Sequence, residues 1–80
     1  MGYDIQYSRA AEKALDIQTP QTRKRIMDAV DGLPAGDIKK LKGRKGYRLT
    51  VGTLRVLFDY IDSATIDVVA IGPRGDVYKK

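Results

Sequence analysis

The stretch from Tyr47 to Tyr60 constrains the fold more than any other part of the chain. Tyr47, Leu49 and Val51 alternate with Arg48 and Thr50. After Gly52-Thr53, Leu54, Val56, Phe58 and Tyr60 alternate with Arg55, Leu57 and Asp59. Period two on either side of a two-residue, glycine-led turn predicts a β-hairpin. Such a turn also sets the register. Val51 then opposes Leu54, Thr50 opposes Arg55, Leu49 opposes Val56 and Arg48 opposes Leu57. One face of the hairpin is apolar: Tyr47, Leu49, Val51, Leu54, Val56 and Phe58. The other carries Arg48, Thr50, Arg55 and Leu57.

An apolar hairpin face needs something to pack against, and the first half of the chain supplies it. Tyr3, Ile5 and Tyr7 alternate with Asp4, Gln6 and Ser8, which predicts a strand with one buried face. Ser8 is placed to cap a helix bearing Ala11, Ala14 and Leu15. Pro20 disfavours helical geometry at Thr19, so this helix ends near Ile17 or Gln18. Thr19-Pro20 then starts a second helix with Ile26, Ala29, Val30 and Leu33 at helical spacing, ended by Gly32 and Pro34. Residues 34–46 read as a loop anchored by Ile38 and Leu41. A turn at Asp62-Ser63-Ala64 leads into Ile66 to Ile71, whose nearly continuous apolar character predicts a strand buried on both faces. Gly72-Pro73 ends it. The expected fold class is α+β: β-α-α-β-β-β, two antiparallel helices packed on one face of a mainly antiparallel twisted sheet, with residues 1–80 forming a single domain.

Composition narrows the chemistry. The chain has neither cysteine nor histidine. This removes disulfides, thiolate metal sites, the usual neutral-pH base and the commonest metal ligand. The scattered acids Asp59, Asp62 and Asp67 do not form a metal-ligand cluster, so neither metal nor small-molecule cofactor is expected. No signal peptide and no membrane span can be read from the sequence, which makes the cytoplasm the expected location.

Charge points toward a polyanion. The net charge is +5. Lys39, Lys40, Lys42, Arg44, Lys45, Arg48 and Arg55 all lie between Ile38 and Phe58, a segment without a single acid, so the rest of the chain is net acidic. A one-signed field of this kind attracts a phosphate backbone. Hairpin register makes Arg48 and Arg55 diagonal neighbours, about 7–8 Å apart at the backbone. Two adjacent arginines with no acid between them repel, so stability does not account for their placement. Tyr3, Tyr7, Tyr47 and Phe58 read as core rather than as base-stacking platforms.

The motifs fall in a familiar order. Leu41-Lys42-Gly43, Tyr47-Arg48-Leu49, Gly52-Thr53-Leu54-Arg55-Val56 and Ile71-Gly72-Pro73-Arg74-Gly75-Asp76-Val77-Tyr78 together resemble the RelE/ParE superfamily of bacterial type II toxin–antitoxin systems, in its RelE-like branch. The resemblance covers essentially the whole chain. It implies a toxin that acts as a ribosome-dependent mRNA endoribonuclease (an mRNA interferase) and inhibits translation. In such proteins the 2′-hydroxyl attacks the adjacent phosphate without a metal. It implies Arg48, Arg55, Arg74 and Tyr78 as catalytic positions. Arg55 would hold the scissile phosphate and its developing charge, Arg74 would assist the leaving oxygen or the same charge, and Tyr78 would stack on or orient the nucleotide or help in proton transfer. Arg48, a candidate base or electrostatic aid, stands where the family often has lysine, and Thr50 stands where it has a second lysine. Lys39, Lys40, Lys42, Arg44, Lys45 and Thr50 become candidates for RNA and ribosome contact. The implied partners are a cognate antitoxin and a ribosome holding A-site mRNA and rRNA, with no membrane. Two alternatives remain open: a ParE-like poison of DNA gyrase without nuclease activity, and an inactive RNA-binding relative.

Without histidine, proton transfer falls to groups whose ordinary pKa values are about 10 or higher, which are poor bases at neutral pH. Catalysis would then rest on electrostatics and on positioning by the ribosome. Purified protein incubated with naked mRNA should therefore cut slowly or not at all; rapid cleavage of free RNA would contradict ribosome dependence.

Overall fold

The computed structural model describes residues 3–33, 36–43 and 45–73. The elements run β1 (Asp4–Tyr7), α1 (Arg9–Asp16), α2 (Pro20–Asp31), β2 (Ile38–Lys40), β3 (Tyr47–Val51), β4 (Leu54–Tyr60) and β5 (Thr65–Pro73). Two helices pack on a five-stranded mixed sheet in the order β1-β5-β4-β3-β2. The β2–β3, β3–β4 and β4–β5 pairs are antiparallel, and β1 joins β5 in parallel. This is the α+β class expected from the sequence.

The local signals act as the residues require. Ser8 Oγ accepts from Ala11 N at 3.0 Å and donates to Val69 O at 2.6 Å, so one hydroxyl both caps α1 and ties it to β5. Thr19 Oγ1 accepts from Thr22 N at 3.2 Å, with Pro20 in the first helical position. Arg23 of α2 reaches back to the open carbonyl end of α1. Its Nε donates to Leu15 O at 3.1 Å and its Nη2 to Gln18 O at 3.2 Å. A guanidinium at that end satisfies orphan carbonyls and opposes the helix dipole. The short connection between the helices is thus held by one side chain.

Ala11 and Leu15 of α1, Ile26 and Val30 of α2, and Leu33 meet Leu49, Val56, Phe58, Ile66, Val68 and Ile71 from the sheet. The hairpin register is the expected one, from Val51↔Leu54 through Arg48↔Leu57. Gly52 has φ of +61° and Thr53 has negative φ, the signs of a type II′ turn, for which glycine at the first position is suited.

Three expectations change. Gly72 and Pro73 do not break the last strand but belong to it, paired with Arg55 and Leu54. The stretch 34–46 is not all loop: Ile38–Lys40 forms a short edge strand, with Ile38 opposite Leu49, Lys39 opposite Arg48 and Lys40 opposite Tyr47. Three residues are too few for a period to show. Nor is β5 buried on both faces. Ile66, Val68 and Ile71 are buried, whereas Val69 is 46% exposed. The pairing passes from Leu57↔Ala70 to Phe58↔Val68, so Val69 is an extra residue in a β-bulge. The bulge resets the alternation and makes a half-buried strand look continuously apolar. Among the described residues no helix is long and apolar enough to cross a membrane.

Tyr7 carries a cost. Its hydroxyl is buried and makes no hydrogen bond among the described residues. Burial, and secondarily the charge of Asp31, raise its pKa above the usual 10.0. A raised phenol pKa means that the fold favours the neutral form. That contribution is complete below the unfolded pKa and is lost as pH climbs through the folded one. Tyr7→Phe should leave the fold intact, raise stability by roughly 1 kcal/mol and soften the alkaline loss of stability, as read by urea titrations at neutral and alkaline pH.

Candidate phosphate-binding face

The helices cover one side of the sheet, and no other element among the described residues covers the opposite side. Strand register determines which residues share it, because directly opposed residues point the same way. One row across the strands is Lys39, Arg48, Leu57 and Ala70. The next, toward the Gly52 turn, is Thr50, Arg55 and Gly72. In the other direction Asp59 of β4 faces Asp67 of β5, with Gln6 of β1 beyond. The face is therefore polarised, with cations toward the turn and acids toward the far end.

Arg48 and Arg55 flank Leu57, which is only 5% exposed although it points away from the main core. The Nε atoms of both arginines are buried, and that of Arg55 has no hydrogen-bond partner among the described residues. Leu57, opposite Arg48 and two residues from Arg55 on the same face, is the apolar residue between them. Arg55 makes no ion pair among the described residues. A partly desolvated guanidinium in this setting is suited to an anion with several oxygens, such as a phosphate.

The remaining candidates separate. Lys39 is exposed and stands directly across from Arg48 on the open face. Lys40 falls on the helix side, opposite Tyr47. Lys42 lies in the exposed turn after β2. Lys45 is exposed and reaches Asp59 at 3.9 Å, a weak surface pair. Thr50 is half-buried opposite Arg55, and its backbone N–H donates to Asp37 O at 3.0 Å. Arg44, Arg74 and Tyr78 lie outside the described residues. Among the described residues no three carboxylates converge as a metal site would need.

The tyrosines take the core role expected of them. Tyr3, Tyr47, Phe58 and Tyr60 form one aromatic cluster on the helix side, with ring centroids 5.4–5.8 Å apart. Burial, and then the neighbouring Tyr3 and Tyr47 hydroxyls, raise the pKa of Tyr60. Two features of the open face were not read from the sequence. One is the membership of Lys39, which depends on the short strand β2. The other is the opposition of Asp59 and Asp67, which depends on the register that the connection 61–64 gives to β4 and β5.

No protein-family model matches the sequence, and no curated protein does. Solved structures do. A chain of the archaeal RelE–RelB complex from Pyrococcus horikoshii OT3 is 24% identical with a TM-score of 0.75, covering 95% of this chain and 99% of that one. A chain of the RelB–RelE antitoxin–toxin complex from Methanococcus jannaschii is 26% identical with a TM-score of 0.72, covering 91% and 94%. The chain has the RelE fold. The E. coli toxin RelE, solved as a mutant in the free state, aligns more loosely, at 16% identity and a TM-score of 0.59 over 91% of this chain and 84% of that one. The RelE-like resemblance carried by the motifs thus agrees with the architecture.

The geometry has a consequence for stability. Adjacent like charges and a buried Nε without a partner both oppose folding, and threonine is well suited to a strand. Arg55→Thr should therefore raise stability by about 0.5 kcal/mol in urea denaturation. A clear loss of stability would show that Arg55 holds the fold together.

Proposed function

We propose that this RelE-like chain is the toxin of a type II toxin–antitoxin pair, and that its open sheet face cleaves mRNA on the ribosome. The observation that carries the reading is Arg55, set beside Arg48 on the adjacent strand, with its Nε buried and neither hydrogen-bond nor ion-pair partner among the described residues. A guanidinium held in this way costs stability unless an anion meets it.

The reaction proposed is internal phosphoryl transfer. The 2′-oxygen of the nucleotide attacks its own 3′-phosphate. A new O–P bond closes a 2′,3′-cyclic phosphate while the bond to the next 5′-oxygen breaks. The 2′-proton leaves and the departing oxygen takes one up. Negative charge accumulates on the phosphoryl oxygens, where a fixed guanidinium is most effective. Arg55 would grip those oxygens, and Arg48 would add charge from the adjacent strand. Arg74 would serve the leaving oxygen, and Tyr78 would hold the base. Arginine does not lose its proton near neutral pH, so these side chains supply charge and orientation. The alignment of the attacking oxygen would come from the ribosome-held mRNA.

The same reading includes a protein partner. The archaeal structures of this fold were solved as RelE–RelB complexes. We propose that a cognate antitoxin likewise binds this chain and holds it inactive.

Induction of the gene followed by mapping of 5′ ends on translated mRNAs tests the activity. New ends within codons should appear, and Arg55→Ala should reduce their rate of formation by about 100-fold or more. Intact mRNA accompanied by an SOS response would instead support a gyrase poison.

A further inference from the structure

The open face also carries information about the path of the ligand. Lys39, Arg48 and Arg55 come from three successive strands, β2, β3 and β4. Lys39 is directly opposite Arg48, and Arg55 is the diagonal neighbour of Arg48 on the turn side. Together they form a diagonal cationic track that crosses the strands rather than following one. Along β4 itself the sign changes: after Arg55 and Leu57 the next outward residue is Asp59, which is also a diagonal neighbour of Arg48. Asp59 directly faces Asp67. Like charges at opposed positions disfavour a sheet, and only Asp59 has an ion-pair partner among the described residues, Lys45 at 3.9 Å.

We infer that single-stranded RNA lies across the strands of this sheet, its backbone following Lys39, Arg48 and Arg55, and that Asp59 and Asp67 form an acidic fence that keeps the backbone from running along β4. This inference rests on the proposed action on RNA. It separates Lys39, as a phosphate contact on the arginine face, from Lys40 on the helix side, and assigns Asp67 a role in specificity. A phosphate approaching the Asp59–Asp67 end meets like charge that repels it even in high dielectric. Displacement toward the track meets three cations instead. Lys39 is exposed at the sheet edge, so the strand has an open entry there.

The test uses the full chain and a labelled single-stranded RNA with 2′-O-methyl riboses, which cannot be cleaved. Affinity is measured by fluorescence anisotropy across a salt series, with thermal melts confirming that each variant is folded. Lys39→Ala should weaken binding and reduce the salt slope by about 0.7, the value for one lost phosphate contact on a single strand. Lys13→Ala removes the same charge from the exposed surface of α1 and should leave both nearly unchanged. Asp67→Asn should tighten binding by roughly two- to threefold at low salt, an effect that fades as salt is raised. If wild-type protein binds and Arg55→Ala abolishes binding while Lys39→Ala matches Lys13→Ala, the track is wrong and the RNA reading stands. If Asp67→Asn fails to tighten binding, the fence is wrong. If wild-type protein does not bind the RNA at all, both the inference and the RNA reading fall.

Discussion

The register of the β3–β4 hairpin is the constraint on which the rest of the structure depends. Gly52 accepts a left-handed backbone conformation without a Cβ clash, which closes a two-residue turn. That turn places Leu49 opposite Val56 and Arg48 opposite Leu57. A slip of one residue would move Leu49, Val56 and Phe58 out of the core and turn the arginines under the helices. The helices could not tolerate this, because Leu15, Ile26 and Val30 need that apolar surface. Core formation and assembly of the arginine pair are therefore a single event, seen from the two sides of one sheet.

The helix layer has a matching economy. Ser8 serves both the start of α1 and the carbonyl of Val69, and Arg23 ties the end of α1 to α2. These bonds keep α1 against β5, and the parallel β1–β5 pairing completes the sheet on that side. All of this polar effort is spent on the covered side. On the other side, among the described residues, Arg55 makes no ion pair and Lys45 reaches Asp59 only at 3.9 Å.

Much of this was legible in the residues. Period two around Gly52-Thr53 led to the register, and Ser8, Thr19 and Pro20 marked both helix starts. The features that escaped did so for physical reasons. Strand β2 has three residues and exists because the edge of β3 offers hydrogen bonds, not because Ile38-Lys39-Lys40 shows a pattern of its own. Hence the sequence could not separate Lys39, on the open face, from Lys40, on the helix side. The opposition of Asp59 and Asp67 follows from the register set by the four-residue connection 61–64, and no local signal fixes the register of a connection of that length. The proposed roles of Arg74 and Tyr78 rest on the family motif, since both residues lie beyond Pro73.

The bulge at Val69 shapes the topography of the face that carries Arg48 and Arg55. Ile66 and Val68 face the helices. Had the alternation continued unbroken, Ala70 and Gly72 would have followed them inward, and Ile71 would have stood proud beside Arg55. The extra residue reverses this: Ile71 goes into the core, while Ala70 and Gly72 come to lie beside Leu57 and Arg55. The ground next to the arginines is low because the backbone gains one residue, not because small side chains occupy the outward positions of a regular strand. Relief on this surface is thus set by chain length within β5, and inserting or deleting a residue there would remodel it more than most side-chain changes.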